Sequence, residues 1–223
     1  MKKLTTVFIL LIVFISFPML QAQTGSGTML LGVSSGINLA GEIFSGSDLM
    51  SIGFSTAKSK SNASGYTEPK PDKTINLNLI PKFGIFVINN LVVGLDVILA
   101  YNQTKEGEIE NKYTQTLVTA GPFVRYYFPA SHLLPFVEGT ATFGSINWKY
   151  KSQSSSEESK YSIMSFGGGL GVAVPLGEVV TLDVMAGYTS ATVKEKEDNP
   201  DDNRTVQGLF GIRLGLVVFL GKK

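Results

Sequence analysis

Hydrophobic and polar residues alternate with a period of two along most of the chain after residue 28. A period of two is typical of β-strands whose two faces meet different surroundings. In one clear segment, Leu182 and Val184 fall on one face, and Thr181 and Asp183 fall on the other. The alternation predicts eight strands, near residues 28–40, 74–88, 91–103, 114–128, 134–148, 161–175, 179–192 and 205–220.

The links between the predicted strands alternate in length. Three short turns alternate with four longer, hydrophilic links. Short turns at one end and long loops at the other are typical of a barrel that spans a membrane. The turns lie at 89–90, 129–133 and 176–178, and the longer links at 41–73, 104–113, 149–160 and 193–204.

Whether the apolar or the polar face points outward distinguishes a membrane barrel from a soluble barrel. The polar face is rich in Gly, Ala and Ser, which suits the crowded lumen of an eight-stranded barrel. It carries only one or two charges per strand, fewer than a solvated surface needs. We therefore predict an all-β fold: an eight-stranded antiparallel up-and-down transmembrane β-barrel with short periplasmic turns and longer extracellular loops. The alternative, a soluble lipid-binding barrel, would turn its apolar face inward.

The start of the chain has the pattern of a secretory signal peptide. Two lysines precede the apolar stretch 7–17, and Ala22 supplies a small residue for cleavage. The stretch is too short for a typical spanning helix. We therefore expect a signal peptide at 1–22 and an outer-membrane β-barrel domain at 23–223.

Composition argues against several classes of function. The chain has no cysteine, and its formal net charge of +1 does not fit a nucleic-acid partner. The single histidine, His132, lies in a predicted periplasmic turn, whereas an enzyme that modifies lipid A would need it at the opposite, extracellular rim. The acidic stretch 195–202 lacks the spacing of a calcium loop. We expect no enzymatic activity, no cofactor and no metal site.

Two stretches of sequence resemble a known family. One is Gly-Pro-Phe-Val-Arg-Tyr-Tyr-Phe at 121–128, followed by Leu-Pro-Phe-Val-Glu at 134–138. The other is Pro-Lys-Phe-Gly-Ile-Phe-Val-Ile-Asn-Asn-Leu-Val-Val-Gly at 81–94. Both are similar to the outer-membrane β-barrel domain family, the small porin-like barrels related in architecture to OmpA and OmpX. The resemblance implies a monomeric barrel in the bacterial outer membrane, surrounded by outer-membrane lipid.

Six charged residues share the predicted lumen-facing positions. A midplane cation that faced lipid would cost about 2–4 kcal/mol, and a charge inside a barrel needs a partner. We therefore predict a salt-bridged network that fills the lumen. The alternative is a narrow or gated ion path, because charged rings can set selectivity. The six residues are Lys82, Asp96, Arg125, Glu138, Asp183 and Arg213.

The first long link, 41–73, is the candidate binding segment. Its Ser, Lys and Gly content predicts an irregular, exposed loop. Exposed loops on a rigid scaffold often carry binding functions. Our leading hypothesis is a non-enzymatic structural or interaction protein with a plugged lumen and an extracellular ligand at this loop. The alternatives are a low-conductance porin-like channel and a solvated loop without a partner.

Overall fold

The described part of the chain consists of β-strands and the turns and links between them. No helix among the described residues is long and apolar enough to cross a membrane. The computed structural model describes residues 24–40, 52–57, 70–107, 111–130, 132–196 and 203–221. The strands are β1 (Met29–Ala40), β2 (Ile52–Ala57), β3 (Asp72–Ile88), β4 (Leu91–Lys105), β5 (Lys112–Tyr127), β6 (Leu134–Lys151), β7 (Ser156–Pro175), β8 (Val180–Glu195) and β9 (Arg204–Leu220).

Eight of these strands close into an antiparallel barrel. The strands from β3 to β9 pair in chain order, and β1 closes the ring by pairing with both β9 and β3. A closed ring leaves no open sheet edge where β1 meets β3, as the interior of a bilayer requires. The predicted eight-stranded up-and-down barrel is confirmed.

A further strand, β2, lies within the link 41–73. β1 pairs with residues 80–85 of β3, and β2 pairs with residues 72–77 of the same strand. The prediction of an irregular loop was therefore wrong at 52–57. Ile52 and Phe54 alternate with Gly53 and Ser55, but this alternation is too short to be distinguished within a Ser-, Lys- and Gly-rich link. Outside the described residues lie 41–51 and 58–69 of this link.

The other long links are shorter than the alternation predicts. β6 ends at Lys151 and β7 begins at Ser156, so the connection is 152–155 rather than 149–160. The paired residues here, such as Tyr113 and Tyr150, are polar or amphipathic. The strands continue beyond the point at which the hydrophobic alternation ends.

The apolar face of the sheet points outward. Leu170 is 69% exposed, and Leu95 is 56% exposed although its neighbour Asp96 is only 1% exposed. A soluble barrel would bury such leucines, because each one costs free energy in water. The exposure pattern is that of a transmembrane barrel and contradicts the soluble alternative.

Two apolar clusters fill the lumen above and below its charged layer. This differs from the uniformly polar lumen that the alternation suggests. Glycines on the inner face make room for the rings: a Cβ on Gly171 would lie 2.3 Å from the Phe136 ring. The cluster at the short-turn end, the periplasmic plug, contains Leu30, Phe86, Val92, Phe123, Tyr127, Leu134, Phe136, Ala173, Met185, Val217 and Phe219. The extracellular cluster contains Ala100, Leu117, Ile146, Ile163, Ala191 and Leu209.

Strands β5 and β6 approach each other closely at Gly144. A Cβ on this glycine would lie 1.9 Å from the carbonyl oxygen of Val118, so the two backbones would have to separate. We expect Gly144→Ala to destabilise the barrel by about 1–3 kcal/mol. Gly139→Ala on the same strand, where the nearest atom would be 4.0 Å away, is expected to change stability by no more than about 0.5 kcal/mol. Urea unfolding of both refolded variants measures the difference, and equal midpoints would contradict the close approach.

Candidate functional site in the barrel lumen

The six predicted lumen charges lie together in one layer between the two apolar clusters. Six different strands each supply one of them. Five are buried, and the side chain of Arg213 keeps 19% exposure. Three cations and three anions make the layer neutral overall.

Glu138 has more ionic partners than any other residue of this layer. Its Oε2 lies 2.5 Å from Lys82 Nζ and accepts a hydrogen bond from Arg125 Nε at 2.7 Å. Its Oε1 accepts a longer hydrogen bond, 3.3 Å, from Arg213 Nη1. These cations belong to β3, β5 and β9, so one carboxylate on β6 connects four strands around the lumen.

Arg125 is the second centre of the network. Its Nη1 donates to Asp183 Oδ2 and, at 2.8 Å, to Tyr127 Oη. Asp183 also accepts a hydrogen bond from Thr181 Oγ1 at 2.8 Å. The guanidinium carbon lies 4.0 Å from the centroid of the Phe136 ring, within cation–π range. The arginine is therefore oriented by both ionic and aromatic contacts.

Lys82 connects the network to Asp96. Its Nζ lies 3.2 Å from Asp96 Oδ1 and 4.1 Å from the centroid of the Phe123 ring. Lys82 and Asp96 are directly opposed residues of neighbouring strands. Their nearly equal distance from the turn at 89–90 is therefore a usable signal in the sequence.

Three contacts cross the lumen between strands that are not neighbours. Lys82 of β3 and Arg213 of β9 both reach Glu138 of β6, and Arg125 of β5 reaches Asp183 of β8. Strand spacing cannot indicate these contacts, because they depend on the curvature of the closed barrel. Closure therefore creates the cross-lumen part of the network.

The alternation does not single out the uncharged members of the site. Tyr127, Phe136 and Thr181 each contact a member of the network. Each lies two residues from a lumen charge, at positions 125, 138 and 183 respectively, and so shares its face. That spacing is the signal that could have identified them.

The charged layer leaves little free volume. A cavity of about 20 Å³, large enough for about one water molecule, is bordered by Lys82, Arg125, Asp183 and Arg213. An ion that crossed the barrel would have to pass both apolar clusters and this layer. Chemically, the arrangement is suited to holding strands together.

The family of the protein follows from a direct match. The model of the family described as outer membrane protein beta-barrel domain matches residues 26–216. The chain belongs to this family. It is accordingly a protein of the bacterial outer membrane, and its apolar exterior contacts membrane lipid. The resemblance seen at 81–94, 121–128 and 134–138 is confirmed.

Several solved structures are similar to this outer membrane protein beta-barrel domain. Ail, the attachment invasion locus protein of Yersinia pestis, is 18% identical over 87% of this chain and 99% of that chain, with a TM-score of 0.41. Neisserial surface protein A is 14% identical over 86% and 97%, with a TM-score of 0.39. The N-terminal β-barrel domain of Pseudomonas aeruginosa OprF is 12% identical over 88% and 99%, with a TM-score of 0.37. No curated protein sequence matches the chain.

Aromatic side chains of β5, β6 and β7 line one side of the extracellular mouth of this outer membrane barrel. Trp148 and Tyr161 have ring centroids 5.5 Å apart, and Tyr113 and Tyr150 are 4.8 Å apart. Their positions face the lumen side of the wall above the extracellular cluster, and Trp148 is 49% exposed. Amphipathic rings of this kind provide contact area together with a polar group.

The remaining candidates for a catalytic or metal-binding site lie outside the charged layer of the lumen. His132 lies between β5 and β6 at the short-turn end. In the ranges that the structure describes, no group of three or more His, Asp or Glu side chains is placed to hold a metal ion. The acidic residues 197–202 lie outside those ranges.

Proposed function

We propose that this barrel is a non-enzymatic structural and interaction protein whose lumen is closed by the salt-bridged layer. The observation that carries the proposal is Glu138, which holds Lys82, Arg125 and Arg213 in one buried layer. Breaking a buried ion pair by removing one partner costs about 3–5 kcal/mol. A permeating ion would have to disrupt these pairs and also pass two apolar clusters.

The interaction role rests on the extracellular end. The barrel is a rigid scaffold, and binding residues are commonly presented at the ends of such scaffolds. The binding region that we propose for an extracellular ligand consists of the link 41–73 and the exposed ring of Trp148. Strand β2 is part of this proposed binding region.

The non-enzymatic part of the proposal rests on the position of His132. General-base catalysis needs a base within hydrogen-bond reach of the proton it removes. The only histidine of the chain lies in a turn at the periplasmic end, whereas the proposed contact surface is extracellular. The lumen carboxylates are engaged in ion pairs and are not free to serve as bases.

Single-channel recording in a planar bilayer tests whether the lumen is closed. We expect no discrete conductance steps from the refolded wild-type protein. Asp96→Asn and Arg125→Gln are recorded beside it, and Lys160→Gln, which changes an exposed lysine, is the matched control. A heat-dependent gel shift verifies that each protein is folded before recording. Wild-type conductance steps that change in the two lumen variants but not in the control would show that the barrel is a charge-selective channel and that its lumen is not closed.

A further inference from the structure

Two tyrosines face each other across neighbouring strands at the extracellular end of the barrel. Tyr113 of β5 and Tyr150 of β6 are directly opposed residues of the antiparallel ladder. The Cβ atoms of such a pair lie about 4.5–5.5 Å apart, so the two side chains come into contact on the same face. The two ring centroids are 4.8 Å apart, and the ring planes are inclined by 37°. In the described part of the chain, no other two tyrosines have a ring contact.

The pair is accessible to small molecules in the external medium. Tyr113 is 45% exposed, and Tyr150 is partly exposed. The pair lies one residue inside the end of the ladder, where Lys112 is opposed to Lys151. Tyr127 shows the contrast, because it is fully buried in the periplasmic plug. A dissolved oxidant therefore reaches the pair without entering the closed part of the lumen.

We propose that Tyr113 and Tyr150 are a site of oxidative cross-linking, where a one-electron oxidant joins the two rings as dityrosine. The chain has no cysteine, so a disulfide cannot join these two strands. A carbon–carbon bond between the tyrosine rings supplies a covalent link that is not reversed by thiols. The modification is independent of any ligand that the barrel binds.

The reaction removes two electrons and two protons from the pair. Each phenol gives one electron to one equivalent of the oxidant and its hydroxyl proton to water, which leaves two phenoxyl radicals. The unpaired electron of each radical is shared between the oxygen and the Cε atoms beside it. One Cε of each ring then forms the new bond, and the proton on each of these carbons moves through water to the ring oxygen. Both hydroxyl groups are thereby restored.

The sheet selects this pair over the other tyrosines. Two radicals couple only if they meet before either is reduced, and two groups held in contact react as in a unimolecular step. The other exposed tyrosines contact residues of a different kind: Tyr161 packs on Trp148, and Tyr126 packs on Phe128. A radical on one of these rings has no tyrosine in contact with it. The register of β5 and β6 therefore directs the coupling.

The link fixes the outer end of the β5–β6 pair. Lys112 and Lys151 are like charges that face each other at the last position of the ladder, and such pairs are destabilising. Strand ends with exposed hydrogen bonds also open first. Trp148 lies two residues from Tyr150 and shares its face, so the link also holds the part of the wall that carries this ring.

Photo-oxidation of the folded protein tests the proposal. The barrel is reconstituted at low density in phosphatidylcholine vesicles and irradiated with ruthenium tris-bipyridine and persulfate, which generate a small one-electron oxidant. Trypsin, added after denaturation, releases the two tyrosines in peptides 113–125 and 150–151, because basic residues precede and end each peptide. We expect mass spectrometry to find these two peptides joined with the loss of two hydrogens. The joined product should be lost in Tyr113→Phe.

Two controls make the result specific. Tyr161→Phe removes a tyrosine that contacts Trp148 and is expected to keep the wild-type yield of the joined peptides. Wild-type protein unfolded in urea should give much less product, because the chain no longer holds the rings together. Equal yields from folded and unfolded protein, or no product from the folded protein, would overturn the proposal. A product confined to covalent dimers on a denaturing gel would do the same, because the coupling would then join two barrels. A heat-dependent gel shift before irradiation shows that each variant is folded.

Discussion

Glu138→Gln is expected to lower the free energy of unfolding of the barrel by about 3–5 kcal/mol. The substitution keeps the shape of the side chain but leaves Lys82, Arg125 and Arg213 around a neutral amide. Lys82 and Arg125 keep Asp96 and Asp183 as counterions, but three cations then share two carboxylates, and the uncompensated positive charge cannot be resolvated inside the closed lumen. Reversible urea unfolding in lipid vesicles, followed by the fluorescence of the single tryptophan, measures the change.

An exposed carboxylate supplies the control for that variant. Glu158→Gln removes the same charge from the outer wall, where its ion pairs face solvent, and is expected to cost no more than about 1 kcal/mol. Adding Arg213→Met to Glu138→Gln should recover part of the loss, because Glu138 is the carboxylate that pairs with Arg213 in the described lumen and the unpaired cation disappears. Equal unfolding midpoints for Glu138→Gln and Glu158→Gln would show that the lumen charges are not coupled.

Phe136→Ala is expected to destabilise the barrel by about 3–5 kcal/mol through the cavity that it opens in the periplasmic plug. Phe136 is 1% exposed, and its ring contacts both the Arg125 guanidinium and, at 5.6 Å, the ring of Tyr127. It also fills the space above Gly171. The same urea titration measures the loss.

Two further substitutions make the Phe136 result specific. Val137→Ala changes the adjacent lipid-facing residue and should cost only about 1 kcal/mol. Gly171→Ala clashes with the ring in the wild-type barrel, but in the Phe136→Ala background it is expected to be tolerated. An additive loss in the Phe136→Ala/Gly171→Ala double variant would contradict the packing described above.

The barrel itself could be predicted because every membrane-crossing strand has one face in lipid. That constraint imposes a period of two, and the predicted strand 91–103 coincides with the membrane part of β4. Beyond the hydrocarbon the constraint ends, and pairs such as Lys149 with Glu158 continue the ladder in water. The strand ends were therefore not predictable from hydrophobicity, and β2 offers only the short alternation of Ile52 and Phe54 with Gly53 and Ser55.

The candidate site was likewise predictable only in part. Face parity is enough to place the charged residues toward the lumen, and symmetry about a turn indicates neighbours such as Lys82 and Asp96. The contact between Arg125 and Asp183 arises only when the sheet closes. The periplasmic plug was missed because an aromatic residue on the inner face, such as Phe86, interrupts the alternation and looks like a random exception to it.

Barrel closure also has a consequence for the order of events in assembly. The first strand is joined to the last, since β1 pairs with β9 along Met29–Ala40, and its contact with β3 is limited to six residue pairs. Contacts so distant in sequence form late, after the hairpins between them. A polypeptide cut before β9 would keep two unpaired edges and could not be released stably into lipid. Completion of membrane insertion is thus coupled to delivery of the final strand, which makes truncated chains recognisable to proteolysis.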